Sequence, residues 1–317
     1  MLIKKSNKVF LYVILLLFYF LYSSNSFAKD LLIFEGKIVF QSQFEVGKGT
    51  DIYILNGKSG KVKRLTKTKN NEQPKWSSDG KKIAFVSTRH KDNNMEIYLM
   101  NTDGTNQRRL TYTPSIVDVL GKQKFPHLST NFSQMPQWDN NGKNIYFSSG
   151  LPASPLQENM VNVETSQQQV ILPYTERDKF YQIIPSPDKK KELRYFKYLR
   201  KMSLVDISTK SSKDIGFDAG DLPAWSKDGK KIAYLKGEIP GKALVIFDVE
   251  QNKVFELADV RRDYSDWCNS ISWSPDSKHL VYACGMETGP DVSKIYILDI
   301  ESGVPIKITE GSSPDWY

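Results

Sequence analysis

In 317 residues the chain has three histidines and no Gly-x-Ser-x-Gly elbow, which leaves a multi-histidine metal centre short of ligands and a serine hydrolase without its nucleophile. The formal charge of +8 includes Lys4, Lys5 and Lys8 of an amino-terminal leader, leaving +5, and the other lysines recur in hairpin turns such as Lys81-Lys82, Lys189-Lys190-Lys191 and Lys230-Lys231. Lysines spread in this way read as solvated turns rather than as a polyanion site.

The leader comes first. Behind its three lysines runs an apolar stretch of 14 residues, Val9 to Tyr22, then a small, polar stretch ending Ser26-Phe27-Ala28. This is the pattern of a secretory signal with a small-x-Ala cleavage site before Lys29. The run is shorter than the ~20 residues a membrane span needs. Residues 1–28 are therefore expected to be removed, leaving no stable membrane span; a retained anchor is the alternative. Export predicts a periplasmic protein and removes nucleic acid as a partner.

After a short lead-in, 29–35, the pattern becomes that of strands. Gly36 to Ser42 reads as a second strand lacking its first, with Asp51-Ile52-Tyr53-Ile54 as a third and Lys63-Arg64-Leu65-Thr66 as a fourth. From Pro74 the full unit appears as P-K-W-S-S-D-G-K-K-I-A-F-V-S, a polar loop, E-I-Y-L-M-N-T-D-G-T and Q-R-R-L-T. The first strand ends at Trp76, and Asp-Gly supplies the positive φ that a tight hairpin connection needs. The Trp position recurs at Trp138, Pro185, Trp225, Trp273 and Trp316, at spacings of 62, 47, 40, 48 and 43 residues. A period in the forties with four short strands per unit signals propeller blades. In the fourth unit Pro replaces Trp, and the third strand is indistinct around Lys197 to Ile207.

In the sixth unit Cys268 and Cys284 are symmetric about Asp276, the middle of the turn, so an antiparallel hairpin sets them opposite one another. An oxidising compartment favours a disulfide, with two unbonded small residues as the alternative. A last Trp motif, Pro314-Asp315-Trp316, supplies the missing first strand. The expected fold is all-β, a six-bladed β-propeller over 36–317 with blade 1 shared between the two termini.

These residues resemble the TolB-type propeller, whose repeat is P-x-W-S-P-D-G-K-x-I-A-F-x-S with a downstream I-Y-x-x-N-x-D-G and R-x-L-T. The resemblance is closest in blades 2 and 5 and weakest in blade 4. The amino-terminal α/β domain that precedes the TolB propeller has no counterpart here, where about ten residues separate leader and blade 1. The resemblance implies protein partners of the cell envelope, such as peptidoglycan-associated lipoproteins and Tol-system components.

Within a blade the first-to-second and third-to-fourth connections are short and rich in Asp, Asn and Gly. The other connections are long and aromatic, and they share the opposite face, which is thus the candidate for binding. Its candidate partner-binding residues are Arg89, His90, Phe125, His127, Tyr174, Arg177, Arg261, Arg262, Tyr264 and Trp267. The longest connection, Tyr112 to Met135, contains Phe125 and His127. Four places before each Trp position stand Glu72, Gln134, Tyr181, Asp221, Asn269 and Ser312, a polar ring expected at the channel mouth. Oxygen ligands of this kind suit Ca2+; a wet entrance that caps strand starts is the alternative, and no other cofactor is implied. Two leading functions follow, with a structural part of a secretion or surface complex as a third. The first is a binding platform for an envelope protein or a cell-wall-associated ligand, and the second is a propeller enzyme of lyase, lactonase or glycosidase type holding a divalent ion.

Overall fold

The computed structural model describes residues 34–44, 49–90, 94–112, 132–139, 141–150, 157–172, 182–196, 199–218, 223–237, 243–259, 268–285 and 293–317. Every regular element among them is a strand. Blade 1 contributes β1 (Lys37–Ser42), β2 (Asp51–Asn56) and β3 (Val62–Arg64); blade 2, β4 (Asn71–Trp76), β5 (Lys82–Ser87), β6 (Glu96–Asn101) and β7 (Arg108–Arg109). Blade 3 holds β8 (Phe132–Trp138), β9 (Asn144–Gly150), β10 (Gln157–Asn162) and β11 (Gln168–Leu172); blade 4, β12 (Gln182–Pro185), β13 (Lys191–Phe196), β14 (Lys201–Asp206) and β15 (Ser212–Phe217). Blade 5 holds β16 (Ala224–Trp225), β17 (Lys231–Lys236), β18 (Ala243–Asp248) and β19 (Lys253–Asp259); blade 6, β20 (Cys268–Trp273), β21 (His279–Cys284), β22 (Lys294–Asp299) and β23 (Pro305–Glu310). The last strand, β24 (Ser312–Trp316), returns to blade 1 and gives it the order β24-β1-β2-β3. The ring closes as a six-bladed propeller. In blade 4 the third strand is regular, since β14 pairs residue by residue with β13; Lys201 and Ser203 obscure its apolar alternation in the sequence.

The Ser-x-Asp-Gly turns are held by a repeated set of bonds. In blade 2, Ser77 Oγ donates to Asp79 Oδ1 at 2.7 Å, and Oδ1 accepts the Lys81 N–H at 3.1 Å. Ser186/Asp188, Ser226/Asp228 and Ser274/Asp276 repeat the arrangement. The next position is left-handed in every one of these turns, at Gly80 (φ 66), Lys189 (φ 59), Gly229 (φ 74) and Ser277 (φ 60).

These bonds favour the ionised carboxylate. The Ser77 hydroxyl and then the Lys81 amide hold Asp79 below 3.8; Ser186 and Lys190 do the same for Asp188. In the outer turn of blade 4 the Ser208 hydroxyl takes Asp206 down to about 2. A carboxylate whose folded pKa lies below its unfolded one stabilises the fold above the unfolded value and loses that contribution as pH falls through the folded one. The expected result is a thermal midpoint nearly flat from about pH 7 to 5 that falls between about pH 4 and 2. Circular dichroism melts across that range check it, and a midpoint that rises on acidification would contradict the assignment.

The tryptophans at the repeat's Trp position also tie their blades to the previous one. The indole N–H donates to the carbonyl of the residue just before the preceding blade's Trp position: Trp76 to Asp315 at 3.2 Å, Trp138 to Lys75 at 3.1 Å, Trp225 to Ile184 at 2.9 Å and Trp273 to Ala224 at 2.9 Å. Trp316 donates to Glu35 at 2.8 Å, while its backbone N–H reaches Ser272 Oγ of blade 6 at 3.0 Å. Pro185 has no indole, so blade 4 lacks this bond to blade 3.

Three residues before the Trp the inner strand bulges. Gln73, Met135, Ser270 and Ser313 all have φ between 50° and 57°, and the pairing slips there in blades 2, 3, 6 and 1. The bulge amides find side-chain acceptors, Gln73 N–H on Gln41 Oε1 at 2.5 Å and Met135 N–H on Gln73 Oε1 at 2.6 Å. A side chain of blade 1 thus secures the irregular backbone of blade 2, and one of blade 2 that of blade 3.

The core lies between the sheets. Apolar clusters join blades 1 and 2 (Val39, Ile52, Trp76, Phe85), 2 and 3 (Val86, Leu99, Ile145, Phe147), 4 and 5 (Tyr195, Met202, Trp225, Phe247), 5 and 6 (Leu235, Ile246, Trp273, Tyr282), and 6 and 1 (Ala283, Ile295, Phe40, Trp316). Among the described residues, no such cluster joins blades 3 and 4.

Candidate functional site

The strands run so that β4 begins, β5 ends, β6 begins and β7 ends at the long-connection face. The same holds in each blade. The short connections are at the other end, near Trp76, Tyr317 and Gly57. The chain enters the fold at that short-turn end: Phe34 N–H donates to the Gly57 carbonyl, Gly57 N–H to Gly36, and Lys37 and Tyr317 exchange backbone bonds.

At the long-connection end of blades 1 and 2 the described residues form two copies of one device. Asp51, first in β2, accepts Thr66 Oγ1 at 2.7 Å and Asn71 Nδ2 at 2.7 Å, and it pairs with Arg64. Glu96, first in β6, accepts Arg109 at 2.8 Å and the Thr111 hydroxyl. Both threonines in turn accept the amide that follows the acid, Ile52 or Ile97, at 2.9 Å. The Asp51 and Glu96 side chains are 2% and 1% exposed. The Arg-Leu-Thr at the end of each fourth strand is therefore a latch on a buried carboxylate. The signal was present in the sequence as an acid with Arg 13 and Thr 15 residues later, in both blades. These carboxylates are saturated by protein donors and belong to the scaffold.

Arg89 sits beside this network. Its guanidinium lies over the Tyr98 ring at 4.7 Å and the Phe85 ring at 5.1 Å, and it donates to Asn71 Oδ1 at 2.6 Å, Gln107 Oε1 at 2.5 Å and Ser87 Oγ at 3.0 Å. Burial pulls its pKa below the usual guanidinium value, opposed by Tyr98 and Asp51. Asn71 thus bridges Arg89 to Asp51 across two blades. His90 is exposed, and its Nδ1 bonds to the Tyr98 hydroxyl. One tyrosine therefore holds both residues, Arg89 over its ring and His90 at its hydroxyl.

Of the polar ring, Glu72 is half-buried on β4 opposite Val86, and Ser312 is buried on β24 opposite Gln41. Gln134 and Asn269 lie on β8 and β20. Tyr181 and Asp221 lie outside the described residues, as do Phe125, His127, Tyr174, Arg177, Arg261, Arg262, Tyr264 and Trp267. Among the described residues no group of three or more His, Cys, Asp or Glu is placed to hold a metal ion. Cys284 is disulfide-bonded, and the register sets it opposite Cys268. No helix among the described residues is long and apolar enough to cross a membrane.

No protein-family model matches the chain, and no curated protein matches it at the sequence level. Solved structures do. TolB from Acinetobacter baumannii superposes with a TM-score of 0.64 at 19% identity, over 90% of this chain and 67% of that one. A protein assigned as TolB in Agrobacterium tumefaciens gives 0.52 at 13% identity, over 88% and 90%. A chain of the nidogen–laminin complex gives 0.56 at 9% identity, over 89% and 98%. Identities this low speak to architecture alone. In architecture, the chain is a six-bladed β-propeller like that of TolB.

Proposed function

We propose that the protein is a binding platform of the periplasm, and that it holds an envelope protein or a cell-wall-associated ligand through its long-connection face. The observation that carries this reading is the contrast between the two ends of the ring. The short turns use their own Ser, Asp and amide groups on one another, whereas the opposite face has the long, aromatic connections and a preorganised arginine–histidine pair at Arg89 and His90. The likeness to TolB propellers supports a protein partner, and the leader supports export.

The test compares two variants of the chain from Lys29 onward as baits against envelope extract. Replacing Arg261, Arg262, Tyr264 and Trp267 by alanine is expected to abolish capture, since arginine and aromatic anchors are worth ~2 kcal/mol or more each in interfaces. Replacing Glu72 and Asp221 by their amides is expected to leave capture intact. Calorimetric titration of Ca2+ into chelator-treated protein separates the enzyme reading. Micromolar binding that disappears in the Glu72→Gln/Asp221→Asn variant would replace the platform by an ion-dependent propeller enzyme.

A further inference from the structure

We infer that the ring opens at one place, the junction between blades 3 and 4. The inference is independent of the binding-platform reading. Strand alternation turns one side of each blade toward its predecessor and the other toward its successor. In blade 2 the side toward blade 1 is Ile83, Phe85, Tyr98 and Met100, every one at most 2% exposed. Blade 4 sends Leu193, Tyr195 and Met202 into the cluster shared with blade 5, so its opposite side, toward blade 3, is Glu192, Arg194, Ser203 and Val205. Blade 3 departs in the same way. Ala84, Val86, Ile97 and Leu99 of blade 2, all nearly inaccessible, correspond to Tyr146, Ser148, Glu158 and Met160 in blade 3.

Three bonds of the polar groups on these sides run within a single sheet. Ser148 Oγ donates to Glu158 at 2.9 Å, Arg194 pairs with Glu192 at 2.7 Å, and Ser203 donates to Asp214 at 2.7 Å. Apolar side chains beside them are left wet. Two places before the Trp position, Pro74, Pro136, Pro223, Ile271 and Pro314 are buried, yet Ile183 of blade 4 is 52% exposed. Tyr146 is 38% exposed, where Ala84 and Ala233 of blades 2 and 5 are fully covered. The indole tie is absent here too, because position 185 is proline.

Opening any of the other five junctions exposes an apolar cluster to water. Of Tyr146, Met160, Ile183 and Val205, the apolar side chains described on these two sides, only Val205 is buried, so this is the cheapest subglobal opening the ring has. Blades 3 and 4 part, the other junctions stay packed, and the closed ring becomes an arc.

Hydrogen exchange of the mature chain tests this. The second strands are compared because each is hydrogen-bonded on both sides within its own sheet, so edge fraying does not contribute, and a sheet that has parted from its neighbour on one face opens its own bonds more readily. Amides of β9 and β13 are expected to exchange at least about tenfold faster than those of β5 and β17. Restoring the apolar pattern with Glu192→Ile and Arg194→Phe should slow β9, a strand that the changes do not touch, together with β13. Equal protection in all four strands, or a slowing confined to β13, overturns the inference. A second pair needs no rebuilt interface: Ile183→Lys should leave the thermal midpoint within about 2 °C, as expected of an exposed site, while Ile271→Lys, at the same position in blade 6, should lower it severely. Comparable losses in the two variants would also overturn it.

Discussion

Deleting Ser312–Tyr317 unfolds the propeller. These six residues supply β24, the inner strand of blade 1, so their loss strips one side of β1 and leaves a long, apolar edge unpaired. Trp316 is 1% exposed, its indole holds Glu35 and its ring meets Phe34 edge-on at 5.0 Å. Removing a buried tryptophan costs roughly 3–5 kcal/mol by itself, and a domain's whole stability is only about 5–15 kcal/mol. Tyr317 adds a contact with the neighbouring blade: a Cβ on Gly80, where φ is +66, would fall 2.0 Å from its ring. The expected outcome is loss of the cooperative thermal transition in the truncated chain. Trp316→Ala should reproduce most of the loss and Tyr317→Ala, at a residue 41% exposed, much less. An unchanged midpoint in the truncation would refute closure through this strand.

The second large effect is expected at the buried latches, and it should be unequal. Glu96→Ala takes the carboxylate from Arg109, whose charge is buried at 8% exposure, and the acceptor from Thr111. Breaking a buried pair in this way costs about 3–5 kcal/mol. Asp51→Ala frees Arg64, 38% exposed, to reach water, so the loss there should be smaller, at about 1–3 kcal/mol for the stranded Thr66 and Asn71 donors. Urea unfolding of both variants measures the difference. A loss at Asp51 equal to that at Glu96 would show that arginine exposure does not set the cost.

Much of this architecture is written in short-range chemistry. Tryptophan followed by Ser-x-Asp-Gly, and apolar alternation in strands such as β5 and β17, depend on neighbours within a few residues, so one sequence suffices to find them. Blade closure was legible for the same reason, since Pro314-Asp315-Trp316 has the form of a first strand with no blade of its own. The inner bulges were not legible. Gln73, Met135, Ser270 and Ser313 are not of one side-chain type, and the inner strand of blade 4 pairs without such a slip, so no residue pattern marks the bulge. The latches lay between: Arg-Leu-Thr was visible, but its acidic partner comes from the strand before. The open junction showed only as Pro185 in place of Trp, because alternation says which residues share a side and not which blade that side meets. The candidate binding residues lie mostly on long connections. Such segments have no periodicity to read, and Arg89, the one with the fullest set of contacts, draws them from Asn71, Ser87 and Gln107 on three different segments.

The bonds of Phe34 and Gly36 to Gly57 fix where the polypeptide meets the ring. Residue 34 therefore lies at the short-turn end, where the segment before it joins. If that leading segment is held at a surface, the propeller is presented like a dish on a stalk, with its elaborate face turned outward and its plain face turned toward the support. Reach and orientation are then set by a few residues ahead of blade 1. Lengthening them should extend the distance at which a ligand is met, without altering the face that meets it.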